Sequence, residues 1–121
     1  VQNAAGYHVV LKLDTTERDV NAFSTGYSII VTKEMLNFCT TKSQMAFVLG
    51  HEIAHHSFNS RGSDKKEELA ADLRGFQIAK KAGYNKGAIP FLKKAKKTFG
   101  DKGGKVHPDW SIRINQINKG R

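Results

Sequence analysis

One stretch constrains this chain more than any other: Phe47-Val48-Leu49-Gly50-His51-Glu52-Ile53-Ala54-His55-His56. Within it, His51-Glu52-Ile53-Ala54-His55 is an H-E-x-x-H motif set in an apolar run. On a helix, residues four apart lie about 40° apart around the axis and one turn along it, so both imidazoles can reach one ion. Glu52 falls on the same side, where it can hold a water bound to that ion. Zinc suits the pair, because imidazole is a good ligand for it and a metal-bound water turns acidic near neutral pH. Chance alone produces such a motif in roughly one chain in a hundred of this kind, and two helix-borne histidines can equally be surface residues. The residues downstream decide.

The motif helix has a clear start. Thr41-Lys42-Ser43-Gln44 fits a capping box with Thr41 as cap, and predicts a helix over about 42–57 that buries Met45, Phe47, Val48, Leu49 and Ile53 in varying degree. Gly50 costs about 1 kcal/mol relative to Ala in a helix, which points to close approach by another backbone. After the turn Asn59-Ser60-Arg61-Gly62-Ser63, a second capping signal in Asp64-Lys65-Lys66-Glu67 opens a helix over about 64–82. Gly83 is its expected left-handed cap. The apolar stripe of this helix is Leu69, Leu73 and Phe76, and Glu68 and Asp72 flank it. Two carboxylates pointed towards a core are unfavourable unless each has a partner. A zinc ion on the preceding helix would partner Glu68 as third ligand, and Asp72 could orient a ligating imidazole. Gly75, about two turns beyond Glu68, would let the two helices approach closely. The plainer alternative is a carboxylate pair on a solvated edge. Glu67 is the rival ligand, but it is better used as the capping residue and has no Asp four positions on.

A chain of 121 residues makes one domain, 1–121, with one modest core. No apolar run approaches the roughly 18 residues of a membrane span. The chain shows no signal peptide yet begins with Val1, so it is read as a trimmed or excised form whose compartment is unknown. The single Cys39 excludes an internal disulfide framework, argues against a Cys-based zinc site and reads as a small buried apolar residue. The net charge of +9 is unevenly placed: residues 1–85 carry ten Lys/Arg against nine Asp/Glu, and residues 86–121 carry ten against two. Such a basic lobe can bind nucleic acid or an acidic membrane. No aromatic residues interleave the lysines for stacking, which favours a solvated Lys-rich helix.

The remaining elements follow in order. Strands are predicted over about 7–32: Tyr7–Leu13, Asp19–Phe23 and Tyr27–Thr32, with Ser24-Thr25-Gly26 as a hairpin loop between the last two. A short helical piece follows around Lys33–Cys39. Further helices are predicted over about 87–98, with Pro90 tolerated in its first turn, and over about 108–118, with Pro108 at its first position. Ile114, Ile117 and Trp110 would face inward. His107 and Arg113 could reach back to the metal from the opposite side, although His107 alone is as readily a cap-region residue.

His51-Glu52-x-x-His55 followed by Glu68-x-x-x-Asp72 resembles the signature of gluzincin zinc metallopeptidases. The surrounding residues are closer to the CaaX prenyl endopeptidase/HtpX family, and closest to its short soluble members, the minigluzincins. Asn21-Ala22-Phe23, Val48-Leu49-Gly50, Ala71-Asp72-x-x-Gly75, Ala82-Gly83-Tyr84 and His107-Pro108-x-x-x-x-Arg113 all match its pattern, in its order, across roughly residues 19–118. A metzincin reading fails, since its Gly and third His would fall at Phe58 and Arg61.

The resemblance implies an α+β, zincin-like fold: an N-terminal three-stranded sheet packed on the active-site helix and the glutamate-bearing helix, with two further C-terminal helices. It implies a zinc endopeptidase acting on peptide or unfolded protein, with His51, His55 and Glu68 as ligands and Glu52 as general base and proton shuttle. Asp72 would orient a zinc-binding His, and His107 and Arg113 would stabilise the oxyanion or steady Glu68. Asn21 and Ala22 resemble a substrate-backbone clamp beside a strand that pairs an extended peptide. Only twelve residues separate His55 from Glu68, and the membrane-bound relatives' transmembrane and lid segments have no counterpart here, which implies a shallow, open cleft. Three alternatives stay open: a latent form whose cleft is filled by Val1–Gly6 or the tail near Arg121, a self-associating or non-catalytic zinc module, and a DNA-associated protease docking through its basic lobe.

Overall fold

The computed structural model describes residues 10–25, 28–57, 65–104 and 107–120. Its strands are β1 (Val10–Asp14), β2 (Ala22–Ser24) and β3 (Ser28–Thr32); its helices are α1 (Lys33–Phe38), α2 (Lys42–Ser57), α3 (Lys65–Lys81), α4 (Ala88–Phe99) and α5 (Trp110–Gly120). This is the α+β arrangement implied above. β3 is the β-branched run Ser28-Ile29-Ile30-Val31-Thr32, and four of its five residues are buried, as suits a central strand. β1 pairs with it in parallel and β2 antiparallel, giving the order β1-β3-β2. Residues 7–9 of the predicted first strand lie outside the described residues.

β2 and β3 pair antiparallel as predicted, with the Thr25 N–H donating to Ser28 O at 2.7 Å, while Gly26 of the predicted link and Tyr27 at the start of the predicted strand lie outside the described residues. β2 is shorter than the predicted Asp19–Phe23. The reason is Thr32, whose hydroxyl lies 2.7 Å from Asp19 O and accepts from the N–H groups of Asn21 and Met35 at 3.0 and 3.1 Å. The Thr32 side chain thus takes the Asp19 carbonyl and the Asn21 N–H, while Asn21 O still accepts from Thr32 N–H at 3.0 Å, and it caps α1 as well.

At the start of α2, Thr41 Oγ1 accepts from Gln44 N–H at 3.1 Å, as the capping signal predicts. Gln44 reaches one residue further back than a capping box would, accepting from Thr40 N–H at 3.0 Å. α3 ends in a Schellman motif: Gly83 sits at φ 93, its N–H reaches Lys80 O, and Tyr84 N–H reaches Ala79 O. Where α2 and α3 cross, Gly50 and Gly75 meet. A Cβ on Gly50 would lie 2.7 Å from Gly75 O, and one on Gly75 would lie 2.6 Å from His51 N. The close approach read from Gly50 is therefore made by the other helix, through the glycine predicted for it.

The buried face of α3 differs from the prediction. Glu68, Ala71, Asp72, Gly75, Phe76, Ile78 and Ala79 are buried, while Leu69 and Leu73 are only half-buried. The two carboxylates lie at the centre of the packed face, and the leucines flank it. Small residues at 71, 75 and 79 bring the backbones together, so the polar side chains between them are enclosed by default.

α5 begins at Trp110, two residues after Pro108. Trp110 N–H donates to Asp101 O, outside the helix, and Asp109 O accepts the first helical bonds from Ile112 and Arg113. Pro108 therefore precedes the helix, correcting its predicted place at the first position. Ile114 and Ile117 are buried as predicted and Trp110 is half-buried. They join Ile29, Phe47, Ile53 and Leu92 in the core. Cys39 is half-buried, and burial pushes its thiol up to about 11, against the nearby charge of Lys94. Lys93, Lys96 and Lys97 on α4 are exposed, whereas Lys94 donates to Phe38 O at 2.6 Å at the end of α1. Among the described residues no helix is long and apolar enough to cross a membrane.

Candidate metal centre and cleft

The α2–α3 crossing brings His51 and His55 against Glu68. The Nε2 atoms of the two imidazoles stand 3.1 Å apart. Glu68 closes the group, with Oε1 at 2.8 Å from His55 Nε2 and Oε2 at 3.4 Å from His51 Nε2. One ligand atom from each of the three residues lies within 4.8 Å of the others, a group that could hold a metal ion.

The far side of each ring is also held. His51 Nδ1 lies 2.8 Å from Asp72 Oδ1, and His55 Nδ1 lies 2.8 Å from Glu67 Oε2. An ionised carboxylate only accepts, so each Nδ1 carries a proton and donates it. When the imidazoles are neutral, both Nε2 lone pairs then face one another across the gap, an arrangement that repels unless a cation lies between. Zinc ligands about 2.0–2.1 Å from the ion in a tetrahedron stand about 3.3 Å apart, close to the separations here. The residues present fit zinc.

A family model described as peptidase family M48 matches residues 2–62, half of the chain, including His51, Glu52 and His55. The chain belongs to peptidase family M48. Membership indicates a zinc metallopeptidase in general. No curated protein matches this chain.

The electrostatics of the M48 centre follow from burial and pairing. Burial works against charge on His51, but its hydrogen bonds to Asp72 and Glu68 outweigh this and push its pKa up to about 10 in the ion-free protein. His55 is shifted upwards too, with burial opposing and Glu68 prevailing. Burial also raises Glu68, yet bonds from both histidines hold its carboxyl well below the usual range. For Glu52 burial prevails, raising its carboxyl above the ordinary value against the pull of His51 and His55. Glu52 Oε2 lies 3.7 Å from His51 Nε2, facing the same space.

Arg113 lines the cleft at this centre, and its guanidinium is bonded to Asp72. Its Nε and Nη2 donate to Asp72 Oδ2 and Oδ1 at 2.6 and 2.8 Å, and its guanidinium lies 4.4 Å from the centre of the Trp110 ring. It is drawn to the buried Asp72, whose charge would otherwise be enclosed with His51 alone. His107 stands at the open side of the group, exposed, with Nδ1 3.7 Å from Glu68 Oε2. Two contacts were missed in the sequence. One is Glu67 on His55, which the capping reading of Glu67 hid. The other is His56, whose Nδ1 lies 3.1 Å from Thr25 O and 3.2 Å from Ser24 Oγ, tying α2 to the end of β2.

Above the centre lies a cleft of about 1030 Å³. The segment Val20–Thr25 forms one wall, with Asn21 and Ala22 in it, and Phe91, Phe99 and Trp110 contribute apolar surface. β2 is an edge strand of the sheet. Asn21 O accepts from Thr32 N–H, and Thr25 N–H donates to Ser28 O. Antiparallel alternation therefore turns the N–H and C=O of Ala22 and Ser24 away from β3, along the edge that pairs with no strand among the described residues.

Proposed function

We propose that this chain is a zinc-dependent endopeptidase of peptide or unfolded protein substrates, with His51, His55 and Glu68 as ligands. The observation that carries the reading is the convergence of Glu52 and the three ligand residues in one cleft that also contains a sheet edge. An extended peptide added to β2 would bond to the outward groups of Ala22 and Ser24. Such pairing reads backbone and not a chain end, which favours cleavage of internal bonds. Asn21 would act through its exposed side chain, since its own backbone groups are used by Thr32.

Zinc, when bound, supplies a Lewis acid that polarises the scissile carbonyl and makes water more acidic. Glu52 accepts the proton of the attacking water and returns it to the leaving amine nitrogen. Its raised pKa makes it a better base than an exposed carboxylate. His107, on the open side, donates to the developing oxyanion, where one such donor is worth roughly 3–4 kcal/mol of barrier. Arg113 acts through Asp72, keeping that carboxylate aligned on His51 Nδ1. It is a positioning residue in this scheme.

Digestion of a peptide library by the parent protein and by Glu52→Gln tests the reading. The variant should lose turnover by about 10²–10⁴-fold, the usual contribution of a general base, with bound zinc unchanged. Turnover equal to the parent would exclude Glu52 as the base.

A further inference from the structure

We propose that Glu67 is a positioning residue of the metal centre: it fixes the ring of His55 as Asp72 fixes that of His51. The inference rests on the zinc-site reading above and adds a residue to it. Glu67 and Glu68 are adjacent in the first turn of α3, about 100° apart around the helix, so they cannot both face one atom. They straddle the His55 ring instead. Glu68 Oε1 is 2.8 Å from Nε2 and Glu67 Oε2 is 2.8 Å from Nδ1. One turn of helix thus supplies both the group that shares the metal face of the imidazole and the group that holds its back.

The two rings are held by partners of different burial. Asp72 is fully buried and clamped by Arg113, so His51 is fixed from within the core. The Glu67 side chain is 20% exposed and lies at the rim. A carboxylate bonded to Nδ1–H keeps the proton on that nitrogen, leaves Nε2 free to ligate, makes it more basic and stops the ring from rotating. Loss of such a partner commonly weakens a metal site by about 10–100-fold although no ligand is removed. His55 follows His51 by one turn, nearer the end of α2 at Ser57, where backbone restraint is weaker. A side-chain tether therefore matters more there.

The test is zinc affinity, read by competition with a chelator of known strength on the full chain. Glu67→Ala should weaken zinc by about 10–100-fold. Glu67→Gln should weaken it less, because an amide oxygen still accepts from Nδ1–H without the charge. A second readout is the visible spectrum of the cobalt-loaded protein, which should shift in Glu67→Ala as the His55 ring reorients. Affinity within about threefold of the parent and an unchanged cobalt spectrum would overturn the proposal. A lowered melting temperature of the ion-free variant with zinc affinity unaltered would also overturn it, leaving Glu67 as a helix-terminus residue. His55→Ala separates this proposal from the reading it rests on. If His55→Ala abolishes tight zinc binding while Glu67→Ala does not, only the role of Glu67 fails. If neither changes binding, the zinc site itself is elsewhere.

Discussion

Asp72 shows how much one side chain can hold. It accepts from Arg113 through both oxygens and from His51 through one, so a single buried carboxylate joins α2, α3 and α5. Burial raises its pKa, but the bonds from Arg113 and His51 overcome that and leave it ionised. Asp72→Asn keeps the shape and removes the charge, leaving a buried guanidinium without its counter-ion. Breaking a buried pair in this way costs about 3–5 kcal/mol. Urea unfolding of the ion-free variant should show a loss of that size. A change below about 1 kcal/mol would mean that Arg113 finds another partner or water. The sign with pH follows: a carboxyl held below its unfolded value stabilises above that value, and this stability is lost as acid protonates it in the fold.

The crossing of α2 and α3 is decided by what is missing from Gly50 and Gly75. Read as helix propensity, Gly75→Ala should stabilise α3 by about 1 kcal/mol. The crossing predicts the opposite sign, because the new methyl would meet His51 N at 2.6 Å and neither backbone can yield cheaply. Overpacking of this kind costs about 1–3 kcal/mol. Forcing the helices apart would also move Glu68 and Asp72 away from the two histidines. Gly75→Ala should therefore lower both the melting temperature and the affinity for zinc. A variant more stable than the parent, with zinc binding intact, would show that the crossing has slack.

For the protein as a whole, the hydrophobic core and the polar centre are separate sources of stability. Ile29, Phe47, Ile53, Leu92 and Ile117 are at most 1% exposed and do not depend on an ion. The centre, by contrast, packs one ligand atom each from two histidines and Glu68 within 4.8 Å of one another, a group that could hold a metal ion. Stripping zinc with a chelator should leave far-ultraviolet circular dichroism near that of the loaded protein while lowering the melting temperature. Restored zinc at a thousand times its dissociation constant should return about 4 kcal/mol. A melting curve indifferent to zinc at every concentration would contradict an ion-binding native state.

The local patterns were legible because they depend on neighbours along the chain. The H-E-x-x-H spacing, the Thr41 cap, the Gly83 terminus and the β-branched run of β3 all act within one turn or one strand, where backbone geometry is nearly independent of the rest of the molecule. Gly50, Gly75, Glu68 and Asp72 could be singled out because each is costly in a packed helix without a reason. Which group answers which was decided only by the tertiary structure. Arg113 lines the cleft, and only the packing of α5 against α3 pairs its guanidinium with a buried carboxylate 41 positions earlier. Glu67 has the sequence of a helix cap, and only the angle at which α3 meets α2 brings it to His55. The order β1-β3-β2, which among the described residues places β2 at the sheet edge beside the cleft, arises from contacts between distant segments. Residue type and spacing determined the donors available to this chain; the helix crossing, set by two glycines, determined which of them meet.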